Sequence, residues 1–144
     1  MKTHLLLFIA LLGFVSPAYA QTASLPKIIT DGFAAYQTGG ASKAVDAWFT
    51  GSLLANNSTT KTSYVTFLTT FESNSGKFSG YENIGSVTIS PSVTEYYFVF
   101  LYANTPLYTS FEVYTAGGNG IITTYSSNPN AIQLLPASFL VKNK

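Results

Sequence analysis

The residues best equipped for proton chemistry are three carboxylates set among aromatics. Asp46 falls between Val45 and Trp48 in a stretch with helical spacing. Held in an apolar pocket beside a tyrosine donor, such a carboxylate is equipped to abstract a proton from carbon. The same position also suits a plain solvated helical acid, which is the reading preferred here. Glu95 and Glu112 fall in strand-like segments. There each either faces a ligand or, the preferred reading, blunts a sheet edge against pairing with other chains.

What is missing narrows the chemistry further. The one histidine is His4, at the front of the chain, and there is no cysteine and no arginine. Beyond the first residues the chain therefore cannot build a Ser-His-Asp or Cys-His nucleophile, or an ordinary zinc site. It has no planar fork for phosphate or guanine. No metal and no cofactor is expected. Once Lys2 is set aside, six lysines face six carboxylates, which leaves no basic field for nucleic acid to exploit.

Aromatic side chains are the remaining resource. Trp48, Tyr64, Tyr97 and Phe111 each belong to a stripe that periodicity turns inward. They are the candidate lining of an apolar pocket, the tyrosines bringing a polar tip to an apolar wall; plain core is the alternative for each. Asn56-Asn57-Ser58 and Asn57-Ser58-Thr59 satisfy the N-glycosylation pattern on an expected loop.

These residues need elements to position them. Residues 1–20 read as a cleavable leader, with Lys2 and His4, an apolar run from Leu5 to Val15, and Ala18-Tyr19-Ala20 before Gln21. The run is short of the roughly twenty residues that span a bilayer. Residues 21–144 then form one exported domain, secreted or periplasmic, with no later membrane span. With no disulfide available, packing alone must hold it.

Helical spacing governs the first half. Leu25, Ile28, Ile29, Phe33 and Tyr36 share one face before Gly39-Gly40. Ser42 is a fitting N-cap for a second helix carrying Val45, Trp48 and Phe49, and a third carries Tyr64, Phe67, Leu68 and Phe71. From Gly76 onward the period is two. Ile84, Val87 and Ile89 mark one strand, closed by Pro91. Glu95 to Ala103 is bulky on both faces, so it should lie centrally in the sheet and be covered on both sides. Leu107 to Tyr114 and Ile121 to Tyr125 come next, joined by a hairpin at Gly117-Gly118-Asn119-Gly120. The result is an α+β domain, three N-terminal helices packed on one face of a curved antiparallel sheet, with the tail Ala131 to Leu140 lying across the sheet.

This order carries a family likeness. Gly39-Gly40 after the first helix, the stripe ending in Trp48-Phe49 and the meander of strands resemble the nuclear-transport-factor-two-like superfamily, which includes ketosteroid isomerases and SnoaL-like cyclases. Gly76-Lys77-Phe78-Ser79-Gly80-Tyr81-Glu82-Asn83-Ile84, Pro106-Leu107-Tyr108 with Phe111-Glu112-Val113-Tyr114, and Asn128 to Pro136 look like recurring segments of its small exported members. The resemblance implies a cystatin-like cone whose mouth holds a small apolar ligand, and an outer sheet face that forms a homodimer or is covered by the tail. Aligned on Gly39, the isomerase tyrosine falls at Gly32 and its carboxylate base near Asn56, and neither side chain can serve. The leading expectation is thus non-enzymatic binding of a small apolar ligand, or protein association. Behind it stand an isomerase or cyclase using Asp46 with a tyrosine, and an adhesin-like protein binding glycans.

Overall fold

A computed structural model describes residues 24–140; the expected leader and cleavage site lie outside the described residues. Two long helices come first, α1 (Lys27–Trp48) and α2 (Ser58–Ser75), linked by a short 3-10 turn (Leu53–Asn56). Four strands come after them: β1 (Phe78–Ser90), β2 (Val93–Tyr102), β3 (Pro106–Tyr114) and β4 (Ile121–Asn128). Two single-turn helices, α3 (Ala131–Leu134) and α4 (Ala137–Leu140), end the described chain. The α+β class and the antiparallel sheet are as expected, whereas the three expected helices are two.

The first two expected helices are continuous as α1, and Gly40 is a kink in it rather than a stop. Its φ of 71° and ψ of −169° break the helical path in a region that glycine enters without a Cβ penalty. No polar loop intervenes; Ala41, Ala44 and Val45 are buried helix formers that resume the turn at once. Ser42 accordingly lies inside α1 rather than capping a separate helix. A true cap opens α2, where Asn57 Oδ1 accepts a 2.9 Å hydrogen bond from the Thr60 N–H. Gly76, with φ of 83°, closes it.

The strands form one antiparallel meander in the order β1-β2-β3-β4. Pro91 and Ser92 make the turn between β1 and β2, since a proline there ends the ladder. Register shifts interrupt β1 at Phe78/Gly80, Asn83/Gly85 and Thr88/Ser90, and bulges of this kind add twist and bend the strand.

Strand β2 is covered on its inner face and, on its outer face, at Tyr97, with Val99 and Leu101 beside it partly buried. Phe98, Phe100 and Tyr102 turn toward the helices and are buried with Phe33, Trp48, Phe111 and Leu68. Phe33 sits at the centre of that cluster, with the Tyr81 ring stacked 3.5 Å away and Phe98 and Phe100 edge-on at 5.2 and 5.3 Å. Each such fully buried side chain contributes about 1.5–3 kcal/mol by leaving water. On the opposite face Tyr97 is also buried, because the tail crosses it and the Phe139 ring packs 5.4 Å from the Tyr97 ring. Gly85, paired with Tyr97 across β1 and β2, makes room for that ring: a Cβ on Gly85 would lie 2.9 Å from Phe139.

Two expectations about the sheet are corrected. Glu95 and Glu112 blunt no edge, for β2 and β3 are the two inner strands and these carboxylates are directly opposed across them. Tyr97 does not face the helices; it belongs to the outer face with Glu95, whose Oε2 accepts from the Tyr97 hydroxyl at 2.7 Å. Among the described residues no helix is long and apolar enough to cross a membrane.

Candidate functional site

The space between helices and sheet at Trp48 is occupied by side chains. Trp48 arrives there because Val45, Trp48 and Phe49 share the sheet-facing side of α1 after the kink, and all three are buried. Its indole N–H donates to the Ile29 carbonyl at 3.2 Å, tying the two arms of α1 together. Phe111 from β3 lies with its ring 5.0 Å from the indole, and Tyr125 from β4 lies 6.0 Å away. Tyr64, half-buried on α2, meets the Tyr125 ring edge-on at 5.0 Å. Its hydroxyl donates to the Tyr125 carbonyl at 3.4 Å. Thus Trp48, Phe111 and Tyr64 gather around Tyr125, whereas Tyr97 is on the other side of the sheet.

Asp46 points away from this cluster. Its side chain is half exposed, and Oδ1 pairs with Lys61 Nζ across the gap between α1 and α2. Its neighbour is therefore an ammonium group from the facing helix rather than a tyrosine hydroxyl.

A polar cluster that the periodicities do not announce lies in the same core, the Tyr36 ring 6.2 Å from that of Trp48. Tyr36 Oη is 3.0 Å from Tyr102 Oη and 3.4 Å from Glu72 Oε2. Glu72 Oε1 accepts from the Phe78 backbone N–H at 3.3 Å. Tyr36 has one proton to donate, so when it serves Glu72 the Tyr102 hydroxyl supplies the shared one. Burial, reinforced by the neighbouring Tyr102, holds the Tyr36 phenol far above the ordinary tyrosine value, and burial pushes Tyr102 up to about 12. On β3 and β4, the buried Thr109 and Tyr125 hydroxyls find no hydrogen-bond partner of good geometry among the described residues. Tyr36 and Tyr102 are legible in sequence as members of inward stripes. Their meeting is not, because the two lie 66 residues apart.

Two grooves lie outside the core. The larger, about 770 Å³, runs between the two ends of α1 and the β3–β4 hairpin. Pro26 and Ile28 from the start of α1, Ala47 from its end and Ile121 from β4 supply its apolar surface. Thr50, Thr115 and Asn119 supply polar groups. Lys27 and Asp31, also on this groove, neutralise one another through an i,i+4 ion pair. Gly51, with φ of 77°, gives the chain its sharp departure from α1 beside Ile121. The smaller groove, about 380 Å³, separates the second arm of α1 from the start of α2 and contains the Asp46–Lys61 pair.

Neither groove is lined by Trp48, Tyr64, Tyr97 or Phe111. The larger one is nonetheless their neighbour, for Ala47 and Ile28 immediately precede Trp48 and its hydrogen-bond partner Ile29. In the sequence its only signal is the glycine-rich hairpin, whose composition gives no hint that α1 ends beside it. Among the described residues no group of three or more His, Cys, Asp or Glu is arranged to hold a metal ion. Compared with protein-family models, curated proteins and solved structures, the chain matches none.

Proposed function

We propose that this chain is a small exported binding domain of the nuclear-transport-factor-two-like type, and that it takes a neutral amphiphile in the groove between the ends of α1 and the β3–β4 hairpin. The helix-first order, the kink at Gly40 and the bent meander support the family and its cone. The packed cluster around Trp48 argues for a ligand at the cone's rim rather than within it. The observation that carries the reading is the groove itself. Its volume of about 770 Å³ falls in the range of small-molecule sites, which combine mostly apolar walls with a few polar groups that fix orientation. The mutual neutralisation of Lys27 and Asp31 favours an uncharged headgroup.

The test is a calorimetric titration with decanol and with N-phenyl-1-naphthylamine. Saturable one-site binding is expected, and Ile28→Asp or Ile121→Asp should weaken it by about tenfold or more, the equivalent of losing one apolar contact of about 1.4 kcal/mol. Absence of saturation, or unchanged affinity in both variants, would remove the proposal.

A further inference from the structure

The smaller groove poses a separate problem in physical chemistry. Where two helices face each other, the residues repeating at i, i+3, i+4 and i+7 are ordinarily apolar, because that stripe is what the pairing buries. On their sheet-facing sides α1 and α2 obey the rule, with Val45 and Trp48 on one and Leu68 on the other fully buried. Where the second arm of α1 and the start of α2 line the gap between them, they do not. Ser42 and Asp46, four apart on α1, confront Ser58, Lys61 and Thr62 on α2, and Asn56 closes one end. Of the side chains from the two helices, Val65 alone gives an apolar surface. The helices thus flank a cleft whose side chains are mainly polar, with Val65 and, from the 3-10 turn, Ala55 as its apolar members.

The chemistry of the cleft selects its ligand class. Asp46 and Lys61 span it at 2.5 Å and cancel in charge, so the cleft offers no net field to an ion. Their pairing uses one carboxylate oxygen and one ammonium N–H. Asp46 Oδ2 still accepts, and Lys61 still donates, toward a ligand. The hydroxyls of Ser42, Ser58 and Thr62 donate and accept, as does the Asn56 amide. A surface of alternating donors and acceptors with no net charge and one apolar patch is complementary to a polyol, whose adjacent hydroxyls donate and accept while its C–H face seeks an apolar contact. The volume of about 380 Å³ suits one or two sugar rings.

We infer that the cleft between α1 and α2 is a binding site for a neutral polyhydroxylated ligand, a monosaccharide or short glycan, with Asp46 and Asn56 as its principal hydrogen-bonding residues. Asp46 then acts as an acceptor for a pair of sugar hydroxyls. This site shares no lining residue with the larger groove, and its existence is independent of amphiphile binding there.

Saturation-transfer NMR with methyl glucoside, methyl mannoside, trehalose and myo-inositol tests it. At least one of these should receive saturation from the protein, and Asp46→Ala and Asn56→Ala should each weaken its affinity about tenfold, the effect of losing charge-assisted or paired hydrogen bonds. Asp46 and Asn56 are exposed, so both variants should fold, which their thermal transitions would verify. Lys61→Met provides a second route, removing the facing donor without emptying the cleft, and should weaken binding in the same direction. No transfer to any of these compounds, or affinities unchanged in all three variants, would overturn the inference. Because the substituted side chains line the smaller groove and not the larger one, amphiphile affinity in the same variants distinguishes failure of this site from failure of the other.

Discussion

The indole of Trp48 lies directly on the backbone of Gly32: a Cβ built at Gly32 would collide with the Cδ1 and Nε1 atoms of the ring. Two turns of one helical arm and the end of the other are thereby locked together, with the Trp48–Ile29 hydrogen bond closing the contact.

Gly32→Ala should therefore destabilise the protein by about 2–3 kcal/mol, the cost of overpacking a filled core. Gly40→Ala provides the contrast. Nothing lies within 4 Å of a Cβ at Gly40, so only its backbone conformation, φ 71° with ψ −169°, resists substitution, at about 1–3 kcal/mol. Urea midpoints of the two variants at neutral pH check both losses; an unchanged midpoint for Gly32→Ala would mean that the indole can move aside.

The Glu95–Glu112 pair supports a second expectation. Like charges directly opposed across two strands destabilise a sheet by some tenths of a kcal/mol, and here the pair lies between the two inner strands. Glu112→Gln removes one charge while its amide oxygen can still accept from Thr123, which now donates to Glu112 Oε1 at 2.6 Å. Thermal unfolding should show a gain of about 0.5 kcal/mol in dilute buffer. The gain should shrink in molar salt, where screening shortens the reach of the repulsion.

Much of the architecture can be read from these residues in order, and the failures have physical causes. Gly39-Gly40 marks the break in α1, yet whether a glycine stops a helix or only bends it depends on the residues after it, and Ala41-Ser42-Lys43-Ala44-Val45 continues the helix. The stripes of β2 are plain, but a strand bulky on both faces carries no signal for which face meets the helices. That choice is made by Gly85 and Phe139, which build a niche for Tyr97 on the far side. The bulk on both faces of Glu95 to Ala103 does mark that strand as central, which it is, whereas nothing in the segment around Glu112 reveals that β3 is an inner strand too. Periodicity turns Trp48 and Phe111 inward correctly, but it does not distinguish a pocket wall from packed core. Asp46 shows the same limit: its ion pair with Lys61 depends on how two helices are set side by side.

Alkaline pH should unfold the protein through its buried phenols. Burial raises the folded-state values of Tyr36 and Tyr102 above the ordinary 10.0, Tyr102 to about 12. Above pH 10 the unfolded chain therefore releases protons that the folded one retains, and stability falls as pH rises. Their contribution is whole below pH 10 and is lost on the way up through the folded values. Each phenol so held should cost about 1.4 kcal/mol per pH unit across that window. Tyr102→Phe should reduce the slope of urea midpoint against pH above 10; an unchanged slope would mean that other groups govern the transition.

Where a ligand sits is the decisive question, and backbone amide shifts during titration with decanol read that position. Progressive shifts are expected at Ile28, Ala47, Gly51, Asn119 and Ile121, which border the larger groove, with those of Phe98, Phe100 and Phe111 in the packed core hardly moved. Shifts concentrated instead at Phe98, Phe100 and Phe111 would mean that the packed core between helices and sheet opens to admit the ligand, and would contradict binding in the larger groove.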